Sequence, residues 1–187
     1  MRQQIVISGV GGQGVIFVTR LLAEAAIVNG FSVFTSETHG MAQRGGTVLS
    51  HLKVGSFASP LIRPYKADGL LALKAESLAQ HGSYLESDAW AVVNSTNHVK
   101  PKFDWSVFTV DADKLAMKIK NPKSVNLVLL GYAMAVISVS SENKLFCSID
   151  DVKNVLENRL ADKKEMLGAS IEAIETGYYH RNSKLET

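Results

Sequence analysis

The sequence predicts an α/β fold: a single three-layer α/β/α domain over residues 1–187 with a mixed, mostly parallel sheet. Three observations lead there. Short apolar runs such as Ile5-Val6-Ile7 alternate with longer segments whose apolar residues recur at helical spacing. A cluster of glycines, Gly9-Val10-Gly11-Gly12-Gln13-Gly14, stands where the first run gives way to the first helical pattern. Finally, the apolar runs Thr47–Val54 and Asp68–Leu73 are too close in sequence for a crossover helix, so the sheet is expected to be mixed.

The first unit reads as a strand from Gln4 to Ser8, the glycine turn, and a helix from Gly14 to Asn29 carrying Phe17, Leu21, Leu22, Ala25 and Val28 on one stripe. Gly30 is placed to end that helix in a left-handed cap. A strand from Phe31 to Thr35 completes a Rossmann-like βαβ unit whose two strands run parallel. The polar stretch Ser36 to Gly46 then reads as a long βα loop. Loops after parallel strands emerge at the same carboxyl edge, so this stretch is expected beside the glycine turn.

Thr47–Val54 alternates, with Val48, Leu52 and Val54 on one face and His51 and Lys53 on the other; Gly55 ends it. Pro60 and Pro64 keep the next segment out of helix and central strand. Asp68–Leu73 is a buried strand, Glu76–His81 a short helix closed by Gly82, and Ala89–Asn94 and Trp105–Val110 are further strands. Asp111 or Asp113 caps a basic helix running through Lys120, which Pro122 stops. Ser124–Val139 is the most apolar segment and reads as a core helix on the sheet, with Gly131, Ala133 and Ala135 permitting close packing. Ser148-Ile149-Asp150-Asp151 has the form of a capping box, and Asp162-Lys163-Lys164-Glu165 repeats it before a last helix with Leu167, Ile171 and Ile174. Tyr178, Tyr179 and His180 follow Gly177 at its end, and the tail from Arg181 is expected to fray.

Composition narrows the function. With 46% apolar and 20% charged residues the chain is expected to bury a substantial core. No apolar stretch reaches the ~20 residues that span a bilayer, and Met1-Arg2-Gln3-Gln4 lead into a strand rather than a signal sequence. A cytoplasmic protein without membrane contact is expected. A net charge of +2, with no concentrated run of Lys and Arg, argues against nucleic acid. Lys100, Lys102, Lys114, Lys118, Lys120 and Lys123 make the middle basic, which reads as a solvated face before a docking surface. Trp90, Trp105, Tyr178 and Tyr179 read as packing or interface residues. Cys147, the one cysteine, cannot supply the thiolates of an iron-sulfur cluster and reads as an inert small hydrophobe. The five histidines have no zinc-binding spacing, and no metal site is expected.

Two stretches carry the candidate chemistry. Gly9, Gly11, Gly12, Gln13 and Gly14 fit either a tight turn or a cradle for an anion at a helix N-terminus. A dinucleotide fold also needs an acid at the end of its second strand, and Glu37 is the candidate. In the second stretch, Arg44 lies between Gln43 and Gly45-Gly46, where a guanidinium beside exposed amides suits a phosphate, a carboxylate or a partner's backbone. Thr38 and His39 precede it. His39 is a candidate general base, but no nucleophile or acid partner for it can be identified in the sequence.

Together, Gly9-Val10-Gly11-Gly12-Gln13-Gly14 and Glu37-Thr38-His39-Gly40-Met41-Ala42-Gln43-Arg44-Gly45-Gly46 resemble the gamma-type subunit of 2-oxoacid:ferredoxin oxidoreductases. The second motif is most similar to the indolepyruvate oxidoreductase beta subunit, and the resemblance extends through Ala67-Asp68 and residues 126–131. It implies a subunit of a complex, inactive alone. Such complexes decarboxylate 2-oxoacids on thiamine diphosphate with Mg, pass electrons through iron-sulfur clusters to ferredoxin, and deliver the acyl group to coenzyme A. The thiamine-binding and ferredoxin-like subunits would be this chain's partners, and symmetric self-association is in keeping with the family. The glycine residues, with Glu37, Thr38, Gln43, Arg44, Gly45 and Gly46, would then form an edge for a neighbouring subunit or for a coenzyme A phosphate. The alternative is a free-standing nucleotide-binding module or small NAD/FAD enzyme.

Overall fold

The computed structural model describes residues 1–39, 46–99, 103–139 and 144–181. Gln43, Arg44, Gly45, Lys100, Lys102 and the tail beyond Arg181 lie outside them.

Six strands form one sheet: β1 (Gln3–Val10), β2 (Val33–His39), β3 (Thr47–Val54), β4 (Ala67–Ala72), β5 (Leu85–Asn94) and β6 (Ser106–Val110), in the order β2-β3-β1-β4-β5-β6. The pairs β1–β4, β4–β5 and β5–β6 are parallel, while β3 is antiparallel to both β1 and β2. The expected mixed, mostly parallel sheet is therefore present. The helices are α1 (Val15–Val28), α2 (Glu76–His81), α3 (Ala112–Lys118), α4 (Val125–Val139), α5 (Ile149–Arg159) and α6 (Lys164–His180).

The first unit differs from its expected form in an instructive way. β1 and β2 do run in the same direction across α1, and Gly30 takes the left-handed conformation, φ 80°. They are not neighbours, because β3 folds back between them. β2 also begins later and extends through His39, so Ser36 to His39 belong to a strand, and residues 40–46 join two antiparallel strands instead of a strand and a helix. Thr35 to Thr38 are polar and none of them is buried, as an edge strand with one flank in solvent allows.

Other departures are local. β5 starts at Leu85, four residues before the expected Ala89, because the segment pairs with the start of β4 at Ala67. α3 ends at Lys118, and Lys120 adopts φ 56° before Pro122. Asp111 is its cap, accepting from Lys114 N–H at 2.8 Å. The Ser148 box forms as expected, with Asp151 Oδ2 accepting from Ser148 N–H at 2.7 Å. Its supposed repeat does not: Lys163 is the N-cap of α6 and no side chain caps it. α6 continues through His180, so Gly177 lies within the helix.

Each sheet face has its own core. Ile5, Ile7, Leu52 and Val92 pack under α1, α3 and α4, with α5 and α6 outside. Val6, Leu70, Ala91 and Val93 pack under α2 and the connections carrying Ile62, Tyr84 and Trp105. The second layer is thinner. It buries His51, whose imidazole lies edge-on to Tyr84 at 5.3 Å and whose pKa is lowered by burial, then by His81 and Lys53.

α4 is apolar on every side because it is enclosed on every side, by the sheet within and α6 without. Residues 122–139 are the one stretch among the described residues long and apolar enough to cross a membrane, and most of it is buried in this core. Two glycines set the spacing of α4 and α6. A methyl at Gly131 would run into the carbonyl oxygen of Ile174, and one at Gly177 into that of Val128. Backbone thus rests on backbone, reciprocally.

Gly131→Ala is expected to lower stability by about 3 kcal/mol or more, since neither backbone can yield as a side chain does. Gly168→Ala, in the same α6 but with open space around the new methyl, is expected to raise it by roughly 0.5–1 kcal/mol. Urea unfolding midpoints of the two variants check this contrast.

Candidate functional site

β1 leads directly into a turn that only a glycine-rich sequence makes comfortably. Gly12 and Gly14 both have positive φ, 91° and 81°. Gln13 closes the turn from within. Its N–H donates to Val10 O at 3.0 Å, its Oε1 accepts from Val10 N–H at 2.7 Å, and its Nε2 donates to Leu73 O at 3.5 Å. Leu73, just past β4, donates its own N–H to Ser8 O at 2.8 Å. The carboxyl ends of β1 and β4 are thereby tied together through one carboxamide.

The glycines do different work. Gly9 is buried beneath the turn, where a Cβ would meet Gln13 Oε1 at 2.8 Å and Leu73 Cβ at 3.0 Å. At Gly14 the side chain of Asn126, from the first turn of α4, fills the space a Cβ would need. Gly11 and Gly12 are exposed: among the described residues a Cβ on Gly11 would find only Gly46 O, at 3.9 Å, and one on Gly12 nothing within 4 Å. The N–H groups of Gly12 and Gly14 have no acceptor among the described residues. Gly14 opens α1 without a capping side chain, so the dipole and free amides of that helix end face the same rim.

The second candidate stretch meets the first at one point in the described chain. Gly11 N–H donates to Gly46 O at 3.1 Å, and Val10 pairs with Thr47 at the start of β3. Glu37, half-buried, and Thr38, exposed, sit on the edge strand β2 opposite Ser50 and Leu49, and His39 ends that strand opposite Val48. Gln43, Arg44 and Gly45 lie outside the described residues. Because β3 intervenes, Glu37 is two strands from β1, roughly 10 Å. A dinucleotide fold places its ribose-binding acid on the strand next to β1. The NAD/FAD alternative loses its main support here.

Two residues that the sequence reading passed over complete the rim. Asn94, at the end of β5, donates through Nδ2 to Leu73 O at 3.3 Å and to Asp113 Oδ2 at 2.7 Å, and accepts from Ala112 N–H at 2.9 Å. Asn126 is the other. Each is an asparagine in an otherwise apolar run, and that polarity inside a core segment was the available signal. Ser8 and Ser77 add a buried hydroxyl pair at 3.1 Å.

Chemically the rim offers peptide groups and carboxamides, and no acid–base pair meets there among the described residues. Cys147 lies away from it, beside α5, where burial and then Asp151 push its thiol up to about 12. It does not supply a thiolate at neutral pH. Among the described residues no group of three His, Cys, Asp or Glu side chains is placed to hold a metal ion.

With the geometry in view, similarity to known proteins is informative. Residues 4–179 match the family model described as pyruvate ferredoxin/flavodoxin oxidoreductase. The indolepyruvate oxidoreductase subunit IorB of Archaeoglobus fulgidus is 28% identical, over 95% of this chain and 94% of its own length. The keto/oxoacid ferredoxin oxidoreductase gamma subunit of Geobacter sulfurreducens superposes with a TM-score of 0.75 over 94% of this chain and 96% of that one, at 22% identity. The 2-oxoglutarate:ferredoxin oxidoreductase of Magnetococcus marinus, solved with 2-oxoglutarate, coenzyme A and succinyl-CoA, also gives 0.75, at 21% identity over 94% of this chain. This chain spans 30% of that longer one.

Gln13→Ala is expected to cost about 1–3 kcal/mol, because it leaves Val10 N–H without its acceptor. Gln13→Glu keeps the acceptor for Val10 N–H but sets a carboxylate oxygen towards Leu73 O, so it is expected to recover only part of the loss. Chemical denaturation of both variants decides it.

Proposed function

Because the chain belongs to the pyruvate ferredoxin/flavodoxin oxidoreductase family, we propose that it is the subunit of a 2-oxoacid:ferredoxin oxidoreductase complex that holds neither thiamine nor cluster. The observation that carries this reading is the full-length match to a protein named as a subunit, 95% of one chain against 94% of the other. The complex would oxidatively decarboxylate a 2-oxoacid, releasing carbon dioxide, passing the acyl group to the thiol of coenzyme A and the electrons to ferredoxin. An aryl 2-oxoacid is the substrate favoured by the indolepyruvate relative.

The donor set supports the division of labour. Thiamine diphosphate is held through a divalent ion, and clusters are held by thiolates; among the described residues no three His, Cys, Asp or Glu side chains are grouped to hold a metal ion, and the single cysteine is a buried thiol. In this reading both cofactors belong to partner subunits. Coenzyme A fits better, since a phosphate oxygen accepts from free amides of the kind present at Gly12 and Gly14. The same rim suits a neighbouring subunit, because Gly11 and Gly12 let another backbone approach closely. Arg44 would add charge to whichever occupant it meets.

Gly11→Glu separates this role from folding. Among the described residues the new Cβ meets only Gly46 O, at an ordinary 3.9 Å, and Gly11 has no positive φ, so the thermal midpoint is expected to stay within about 2 °C of the parent, as for a surface substitution. Co-purification with the neighbouring subunits, or the coenzyme A dependence of turnover in the assembled complex, is expected to weaken about tenfold or more. Unchanged assembly and unchanged kinetics would count against the glycine rim as the contact surface.

A further inference from the structure

At the opposite edge of the sheet, where β4 and β5 begin, a cavity of about 670 Å³ opens between Lys66, Glu86 and the segment preceding β6. One wall is aromatic. Phe103 and Trp105 pack with ring centroids 4.9 Å apart at 48°, and Tyr65 stands beside the cavity. Tyr65 and Phe103 remain 66% and 61% exposed, an unusual state for large rings that line one hollow. Tyr65 is held there in a left-handed conformation, φ 60°, by its N–H to Ser83 O at 2.9 Å and by Lys66 N–H to Tyr84 O at 2.8 Å.

The lining is also acidic. Glu86 and Asp104 belong to it, and Asp68 lies against Glu86. Burial raises the pKa of Glu86, and the charge of Asp68 and a hydrogen bond with it raise it further, against the opposing pull of Lys66. Among the described lining residues two carboxylates, Glu86 and Asp104, stand against one cation, Lys66.

We propose that this cavity receives an arginine side chain presented by a segment of another protein chain. A guanidinium is planar and weakly hydrated, stacks on an aromatic face and bonds a carboxylate through two parallel N–H groups. The aromatic rings and Glu86 line the same cavity and offer those two partners. An anionic side chain would meet Glu86 and Asp104, and a neutral apolar one would leave them without a counter-charge. The exposed rings of Tyr65 and Phe103 extend the contact beyond the hollow, as aromatic residues do at protein interfaces. The inference is independent of the oxidoreductase reading and concerns the edge away from the glycine rim.

Trp105 reports on the site, since the other tryptophan, Trp90, is buried in the core. The full chain is titrated with a short peptide carrying one arginine, with the same peptide carrying citrulline, and with methylguanidinium, while tryptophan emission is followed. A saturable change with the arginine peptide is expected, absent with citrulline, weaker in added salt and lost in Trp105→Phe. Glu86→Gln relieves a like-charge repulsion, so it is expected to fold, and to weaken arginine binding about tenfold. No saturable response to the arginine peptide, equal affinity for citrulline, or indifference to Glu86→Gln overturns the proposal. Methylguanidinium binding as tightly as the peptide overturns it too, because a small free cation would then suffice.

Discussion

The antiparallel insertion of β3 between β1 and β2 is the constraint from which the rest of the candidate site follows. A crossover through α1 alone would leave β1 and β2 adjacent, with the chain moving away from the glycine turn after β2. By returning between them, β3 begins at the carboxyl edge that both strands point to, and Thr47 pairs with Val10 while Val48 pairs with His39. The Gly11–Gly46 hydrogen bond is then a consequence of register. So is the displacement of Glu37 from β1, which removes the acid that a dinucleotide would need.

The helical layer reaches the same rim by a separate route. α4 lies between sheet and α6, and the mutual contacts at Gly131 and Gly177 fix how deeply it sits. Its first turn brings Asn126 against Gly14, so the packing of the core helix helps set the shape of the glycine turn. Gln13, Leu73 and Asn94 link the ends of β1, β4 and β5 in the same plane. Parallel strands deliver all these groups to one edge, which is why ligand and partner sites of open α/β sheets gather there. Exposed Gly11 and Gly12 are the part of this edge left uncovered, and they carry the proposed subunit or coenzyme A contact.

Much of this was legible in the residues. The apolar helices α1 and α4, the Ser148 box, the prolines between β3 and β4 and the short gap between those strands all depend on local chemistry, and the structure follows them, except that Val28, read into the α1 stripe, is exposed at the helix end. What depended on pairing across the sheet was not legible. The polar run from Ser36 to His39 reads as loop because an edge strand need not alternate cleanly. Leu85 to Asp88 join β5 through β4, and no local propensity announces that. At the site the glycines were found, but their separate tasks were not. Gln13 looks like a rim residue in sequence and is a brace in the fold, and Asn94 and Asn126 matter only because distant segments converge on them. Asp162 failed as a cap since the capping geometry fell one residue later, at Lys163.

The central claim is that the rim at Gly11–Gly14 and Gly46 is where this subunit meets the rest of its complex. Amide hydrogen exchange, followed at residues 11–17 and 46–48 in the isolated chain, in the assembled complex, and in the complex with coenzyme A, tests it most directly. The account predicts that these amides, several of them without an acceptor among the described residues, slow markedly on assembly or on adding coenzyme A. Equal exchange in all three states, with protection arising elsewhere on the chain, would contradict it.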